Sequence, residues 1–260
     1  MMGAAVSGLL PPLVLAVAAW LASVPLRDAS IADRVWPLLV VAPALAHAWS
    51  LGAPSARGAW MCVLAALWAV RLCAYITWRN WGHGEDRRYA AMRAEHGDAF
   101  ARRSLVTVFV LQGVLAWVVS WPLVAGWTQA RPLGPLDLAG AALALCGIAF
   151  EAIADAQLAR FRANPAQRGQ VLRAGVWAWS RHPNYFGEAC TWWGLGFMGV
   201  AAQGLRGAWC LVSPLLMTVL LLRVSGVSLL ERDIAQRRPG YDEYVRRTSA
   251  FVPRPPRKPS

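Results

Sequence analysis

The sequence predicts an all-α integral membrane protein with about seven transmembrane helices. Of its 260 residues, 57% are hydrophobic and only 15% are charged, and the mean hydropathy is +0.38. A soluble domain of this length carries more charge, because its surface has to face water. Apolar stretches of about 20 residues, the length that crosses a bilayer as a helix, also recur along the chain.

These apolar stretches set the predicted order of the spans. They lie near residues 4–24, 35–53, 57–78, 104–127, 134–158, 186–204 and 206–229. The second contains Pro43 and Gly52, and only a short turn separates the last two. No basic residue precedes the first apolar run, so we interpret this run as a membrane span rather than a cleaved signal peptide.

The distribution of arginines predicts the orientation. The net charge is +12, and every basic residue except Lys258 is an arginine. Arginines cluster after the third, fifth and seventh spans, whereas the opposite connections carry one each, Arg57, Arg131 and Arg206. The positive-inside rule therefore places the N-terminus outside and the C-terminus in the cytoplasm. This topology explains the charge better than nucleic-acid binding does.

The cysteines and histidines do not indicate a metal site. The five cysteines lie singly in or beside apolar runs, without a C-x-x-C pair, and the four histidines show no metal-binding spacing. The chain also lacks a G-x-G-x-x-G or Walker sequence, so a nucleotide has to be held by side chains rather than by a glycine-rich loop.

Polar residues in the fifth span indicate a candidate site. Glu151 and Asp155 are four residues apart, and Arg162 follows on nearly the same helical face. The carboxylates are suited to accepting hydrogen bonds from ribose or amide groups, and the guanidinium to binding phosphate. The alternative is an intramembrane ion pair that only fixes helix packing.

The segment Ser180-Arg-His-Pro-Asn-Tyr-Phe-Gly-Glu188 is the strongest site candidate. Its polar groups stand where the sixth span enters the bilayer, a costly position unless they bind a ligand, each other or lipid headgroups. Pro183 predicts a turn followed by a helix start, and Tyr185 and Glu188 share a helical face. We expect His182 to act through hydrogen bonds rather than as a metal ligand.

Two further segments have more than one interpretation. Residues 79–89 mix arginines, glycines and aromatics, which suits either a solvated loop or a lid over a phosphate. In the tail, Tyr241 and Tyr244 share a helical face beside arginines, and this combination predicts a surface for adenine and phosphate. The last residues, rich in proline and cations, suit anionic headgroups.

These motifs together resemble the bacterial branch of the steroid 5-alpha-reductase superfamily. The resemblance rests on Asp155 to Arg162, on the 180–188 segment and on the tail from Arg237 to Pro253, and it covers about residues 65–255. It implies one membrane domain over 1–260 in the bacterial inner membrane. Residues 1–60 would form the N-terminal spans on the lipid-substrate side, and the cofactor-binding half would begin near residue 150.

The resemblance also implies an activity. The expected reaction is hydride transfer from NADPH to an activated carbon–carbon double bond of a steroid-like or other lipid. Motif positions of related reductases imply a set of cofactor-binding residues in this chain: Asp155, Arg162, Arg181, His182, Asn184, Tyr185, Glu188, Arg223, Tyr241 and Tyr244.

The expected catalytic acid is less directly indicated. Steroid reductases are expected to carry a glutamate on the second span, but residues 35–53 contain no acidic side chain and only His47 as an ionisable group. Tyr75 on the third span is then the candidate proton donor, since a neutral phenol can stabilise a developing enolate.

Two alternatives stay open. One is an S-adenosylmethionine-dependent methyltransferase acting on a lipid or an isoprenylated cysteine, because Arg-His-Pro-x-Tyr is also similar to a motif of those enzymes. The other is a non-catalytic membrane protein that binds anionic lipid through its arginine-rich face.

Overall fold

The computed structural model of the protein describes residues 7–127, 131–224 and 238–257. These residues form helices and connecting turns without a β-strand, apart from an isolated bridge between Ser180 and Ser249. We number the α-helices of the described residues in chain order: α1 Leu10–Leu26, α2 Ile31–Val41, α3 Pro43–Leu51, α4 Ala56–Asn80, α5 Arg87–His96, α6 Phe100–Ser104, α7 Leu111–Val119, α8 Trp121–Trp127, α9 Pro135–Ala163, α10 Pro183–Gln203, α11 Val212–Val219 and α12 Tyr241–Arg247.

The helices confirm an all-α protein with elements of membrane-crossing length. Five helical stretches in the described residues are long and apolar enough to cross a bilayer: Ile31–Leu51, Ala56–Asn80, Arg87–Trp127, Pro135–Ala163 and Pro183–Val224. Helix α1 is apolar but shorter, with 17 residues. The sixth and seventh predicted spans lie in one stretch, Pro183–Val224, interrupted by a 3-10 turn over Gly204–Leu211. The end of the seventh predicted span, beyond Val224, is outside the described residues.

Local sequence explains where several helices begin. The Ser55 hydroxyl accepts a hydrogen bond from the Gly58 N–H and caps α4, and the Asp86 carboxylate accepts one from the Arg88 N–H and caps α5. Such caps satisfy backbone donors that have no partner within the helix. Helix α10 begins at Pro183, a residue whose missing N–H costs nothing in the first turn.

The chain divides into two compact units. Unit 1 comprises Met1–Asp137 and Phe197–Ser213, and unit 2 comprises Leu138–Gly196 and Pro214–Ser260. In unit 1, α2 packs against α1, α4 and α7, and α8 packs against α4. Large buried side chains, including Trp68, Phe100 and Phe109, fill the core of this unit.

One end of unit 1 carries a network of ion pairs, here called the loop clamp, which joins residues 28–34 to residues 85–93. Glu85 accepts hydrogen bonds from the Ala29 N–H (2.8 Å) and from the Arg93 guanidinium (2.7 Å). Asp33 accepts one from the Tyr89 hydroxyl (2.7 Å) and pairs with Arg88. The charges that we considered as a solvated loop or a phosphate lid are therefore largely paired with the first connection.

Another set of connections of unit 1 is held by a buried ion pair. Arg57 is fully buried and Asp137 is 1% exposed. The Arg57 guanidinium donates two hydrogen bonds to the Asp137 carboxylate, at 2.6 and 2.8 Å, and further bonds to the carbonyls of Arg131 and Pro132. This arrangement ties the start of α4 to the start of α9.

Unit 2 is built on a close crossing of α9 and α10, which we call the glycine crossing. A Cβ atom on Gly147 would lie 2.5 Å from the Gly187 carbonyl oxygen and 2.6 Å from the Thr191 nitrogen. A Cβ atom on Gly187 would lie 2.7 Å from the Glu151 nitrogen. Only glycine allows the two backbones to approach this closely, a device common between membrane helices.

Candidate cofactor-binding site

The predicted polar face of α9 is buried in unit 2. Glu151 and Asp155 are only 2% and 3% exposed, one helical turn apart. The Asn184 amide at the start of α10 donates a hydrogen bond of 3.2 Å to the Asp155 carboxylate. Arg162 follows at the exposed end of the same helix. The structure thus brings together two of the predicted cofactor-binding residues from segments 29 positions apart.

The glycine crossing places a third carboxylate in the same pair of helices. Gly187 lies against the backbone of Glu151, and Glu188 is the next residue of α10 after this contact. Glu188 is buried. Buried carboxylates within membrane helices are costly, and they occur mainly where they pair, contact water or bind a ligand. We call Glu151, Asp155, Asn184 and Glu188 the polar wall.

The rings of His182 and Tyr185 stack on each other at the N-terminal end of α10. Their ring centroids are 5.6 Å apart and the ring planes differ by 6°. The His182 N–H donates to the Ser180 hydroxyl (3.1 Å), and the His182 carbonyl accepts from the Phe186 N–H (3.1 Å). Backbone bonds on both sides of Pro183 therefore fix the stack at the predicted turn.

The tail of the chain holds this turn in place. The Arg181 N–H donates to the Ser249 carbonyl (2.8 Å), the Ser180 hydroxyl donates to the Phe251 carbonyl (2.8 Å), and the Arg254 N–H donates to the Trp179 carbonyl (2.9 Å). The segment after α12 thus runs alongside residues 179–181 and supports the 180–188 segment from a distant part of the chain.

Tyr244 and Arg181 make structural contacts that the sequence did not predict. The buried Tyr244 hydroxyl hydrogen-bonds to the Trp177 carbonyl and lies 3.3 Å from the Ser180 carbonyl. The Arg181 guanidinium donates to the carbonyls of Thr248 (2.8 Å) and Val245 (3.2 Å). Tyr241 packs its buried ring edge-on against Tyr244, with centroids 5.9 Å apart. Arg181 and Tyr244, both expected to line a nucleotide, thus connect the tail to the turn, and Tyr241 packs on Tyr244 within the tail.

Unit 2 carries exposed arginines at the ends of two helical stretches. Arg162 and Arg223 are exposed, Arg223 at the end of the described part of the Pro183–Val224 stretch. Arg173 forms an ion pair with Glu243 at 2.9 Å, and its hydrogen bond holds the pKa of Glu243 below the usual range. Exposed guanidinium groups of this kind bind phosphate through paired hydrogen bonds.

Tyr75, the predicted proton donor, lies in unit 1. It is half-buried in α4, with the Arg79 guanidinium 5.7 Å from its ring centroid and the Trp78 ring 6.1 Å away. His47, the ionisable residue of the second predicted span, is buried in α3 of the same unit against the Trp127 ring.

The structure also shows residues that sequence reasoning missed. The Gln157 amide oxygen accepts a hydrogen bond from the Val176 N–H (3.0 Å), and the Trp177 indole donates to the Ala154 carbonyl (3.0 Å). Both bonds fasten the connection after α9 back onto that helix. A glutamine two residues after Asp155 gives no signal by itself, so only the fold reveals its role.

Two cavities open in this part of unit 2. One, of about 220 Å³, is lined by Phe150, Gly175, Val176, Trp179 and Pro253. The other, of about 320 Å³, is lined by Gln157, Arg160, Phe161, Gln167, Leu172, Ala174 and Gly175. None of the predicted cofactor-binding residues lines either of these two cavities.

The five described helical stretches of membrane-crossing length, together with the all-α fold, define the class as a multi-pass, all-α membrane protein. The chain belongs to the family described as "Protein of unknown function (DUF1295)", whose model matches residues 19–248. It is similar to the uncharacterized protein C594.04c of Schizosaccharomyces pombe, with 25% identity over 278 residues that cover 96% of this chain and 79% of the yeast protein. No solved structure matches the chain.

Proposed function

We propose that the protein is an NADPH-dependent membrane reductase of the steroid 5-alpha-reductase type. Its substrate class would be a steroid-like or other lipid with an activated carbon–carbon double bond. The observation that carries the proposal is the hydrogen bond from Asn184 to the buried Asp155, set in the polar wall beside the His182–Tyr185 stack. Scaffolding does not require this variety of buried acceptors and aromatic rings in one membrane unit.

The chemistry of these side chains fits a phosphorylated dinucleotide. Asp155 and Glu188 supply carboxylate acceptors for ribose hydroxyls or an amide, and the exposed Arg162 and Arg223 supply cations for phosphates. Arg181 and Tyr244 would act through the turn that they hold, because their hydrogen bonds are directed at backbone carbonyls.

NADPH, when bound, would supply the hydride that adds to one carbon of the double bond. The protein then has to stabilise negative charge on the conjugated oxygen and deliver a proton to the neighbouring carbon. Tyr75 is the proposed donor, because a neutral phenol offers a hydrogen bond at physiological pH without first having to ionise. In this proposal, Tyr75→Phe lowers turnover while leaving NADPH binding intact.

We further propose seven crossings with the N-terminus outside and the C-terminus in the cytoplasm of a bacterial inner membrane. The short helix α1 would cross once, and the Pro183–Val224 stretch would cross twice by reversing at its 3-10 turn. Two sets of contacts support the alternation. The loop clamp joins the first and third connections, and the Arg57–Asp137 pair joins the second and fourth.

Because Arg57 is buried and paired, the difference in positive charge between the connections proposed to lie outside and those proposed to lie in the cytoplasm becomes larger. Arg57 is neutralised by Asp137, so the connections proposed to lie outside keep Arg131 and Arg206 as their exposed arginines. The opposite connections and the tail keep many exposed arginines. The positive-inside rule then favours the proposed orientation more strongly than a plain count of residues does.

Ligand-induced stabilisation of the purified protein tests the cofactor. NADPH at a hundred times its dissociation constant should stabilise the fold by about 2.7 kcal/mol, measured as a rise in unfolding temperature in mild detergent. Arg162→Ala should weaken NADPH binding about tenfold through the loss of a charged hydrogen bond. The matched control is Arg168→Ala, which removes an exposed arginine from the connection after α9. This variant should bind NADPH as tightly as the wild type does.

The same assay separates the alternatives. Stabilisation by S-adenosylmethionine instead of NADPH would identify a methyltransferase, and a response to anionic lipid with none to either nucleotide would identify a lipid-binding protein. Either result would contradict the reductase proposal. NADH run in parallel shows whether the 2′-phosphate contributes to binding.

A further inference from the structure

Helix α9 carries a second stripe of residues, on the side of the helix away from Asp155. At about 100° of rotation per residue, Phe150, Gln157 and Phe161 lie about 200–240° around the helix axis from Asp155. The two cavities described above open along this stripe, since the first is lined by Phe150 and the second by Gln157 and Phe161. Both cavities also share Gly175 in their lining.

The two cavities differ in chemistry. The cavity at Phe150 is walled by the side chains of Val176, Trp179 and Pro253, which offer no charged group. The cavity at Gln157 adds Arg160 and Gln167 to its wall. An apolar cavity is therefore adjacent to a polar cavity that contains a cation.

Their order along the helix matches the order of groups across half a bilayer. Arg160 follows Phe150 by ten positions, a rise of about 15 Å in an α-helix. The apolar cavity lies nearer the middle of α9, and the polar cavity lies near its C-terminal end. A phospholipid has the same order, with its acyl chains toward the bilayer centre and its phosphate at the surface.

The polar cavity offers hydrogen-bond donors for an anion. Arg160 is exposed. Among the described residues, its guanidinium has no partner in an ion pair or a hydrogen bond. The Gln157 amide is oriented by the Val176 N–H, which donates to its oxygen and leaves the NH₂ group as a donor. A guanidinium and carboxamides together are well suited to a phosphate.

Gly175 lines both cavities at a position where a larger residue would not fit. Its φ of +60° is a left-handed conformation that favours glycine, and a Cβ atom there would overlap the Gln157 side chain. The connection after α9 can therefore lie close to the helix and form a wall of both cavities.

We propose that this face binds one anionic phospholipid, with the phosphate at Arg160 and an acyl chain against Phe150, Val176 and Trp179. The site is separate from the polar wall, so it does not depend on the proposed reductase activity. It would anchor the connection after α9, and with it the turn at 180–182, to the membrane surface.

The test compares lipids on the delipidated, full-length protein in detergent. Native mass spectrometry and unfolding temperature are measured with phosphatidylglycerol, phosphatidylcholine and soluble glycerol phosphate. We expect phosphatidylglycerol to bind about five times more tightly than phosphatidylcholine, because the choline cation is repelled by Arg160. Glycerol phosphate should have little effect, since it lacks the acyl chain.

Matched variants locate the site. Arg160→Ala should reduce phosphatidylglycerol binding about tenfold, the loss expected for one charged hydrogen bond, whereas Arg168→Ala should not. Ala174→Phe should also weaken phosphatidylglycerol binding, because the larger side chain fills the polar cavity without changing its charge. Ala174 is exposed, so the fold should tolerate the substitution. Equal binding of the two lipids, equal effects of the two arginine variants, or full potency of glycerol phosphate would each overturn the proposal. NADPH stabilisation measured on the same samples reports separately on the cofactor.

Discussion

Arg57 shows how one buried side chain can organise several connections. Its guanidinium makes four hydrogen bonds, to both oxygens of Asp137 and to the carbonyls of Arg131 and Pro132. Asp137 also accepts a bond from the Gly134 N–H (2.9 Å). A buried charge pair of this kind contributes little over a well-packed apolar pair, but removing one partner leaves the other charge buried and uncompensated.

Arg57→Leu should therefore destabilise the protein by about 3–5 kcal/mol, because Asp137 would lose its counter-ion. Thermal unfolding in detergent measures this as a lower unfolding temperature. The double variant Arg57→Leu, Asp137→Leu should recover most of the loss, since no charge is left buried. Arg206→Ala serves as the control, because Arg206 is exposed. An unfolding temperature of Arg57→Leu equal to that of the control would contradict this account.

The loop clamp acts at the scale of elements, since it fastens α5 to the connection between α1 and α2. Burial alone raises the pKa of Glu85, but hydrogen bonds from Arg93 and the Ala29 N–H, with the charge of Arg93, outweigh it and hold the pKa below its usual value. A carboxylate with a lowered pKa stabilises the folded state above its unfolded pKa. That stabilisation is lost as the pH falls through the lowered value.

The clamp should therefore weaken in acid. Glu85→Gln should lower the unfolding temperature at pH 7, and the difference from the wild type should shrink as the pH falls below about 4.3, the ordinary glutamate pKa. Unfolding temperatures measured between pH 3 and pH 7 test this. Glu95→Gln is the control, because Glu95 is an exposed glutamate of α5, the helix that follows Glu85. A difference that stays constant over this pH range would show that the Glu85 charge does not stabilise the clamp.

The elements also show what the sequence could predict. Apolar length was enough to locate the five described helical stretches that are long enough to cross a membrane, and helical spacing was enough to place Glu151 and Asp155 on one buried face. Spacing could not reveal that Tyr244 and Arg181 bind backbone carbonyls, because their partners lie about 65 residues away in the chain. The pairing of Arg57 with Asp137 was hidden for the same reason, with 80 positions between them.

At the scale of the whole molecule, the proposed topology assigns each connection to a side of the membrane. The connection at 131–134 should face outside, and the connection at 164–182 should face the cytoplasm. The hydrogen bonds of unit 1 agree with this alternation, because they join the first connection to the third and the second to the fourth.

Cysteine labelling tests the orientation. In a variant whose five native cysteines are replaced, Leu133→Cys should react with a membrane-impermeant maleimide in intact cells, because Leu133 is exposed on the outer side in this topology. Arg168→Cys should react only after the membrane is permeabilised. The reverse pattern would invert the topology, and labelling of both positions in intact cells would place them on one side.

The glycine crossing has a consequence for how the protein is made. Glu151, Asp155 and Glu188 lie in the two helices that meet at Gly147 and Gly187. An aspartate at the centre of a lone helix costs about 2.5–3.5 kcal/mol when the helix leaves the translocon for lipid, and α9 alone would carry two acidic residues in its C-terminal half. Two helices that pack closely at glycines can shield these carboxylates from lipid. The order of biosynthesis thus favours release of α9 and α10 into the bilayer as one hairpin.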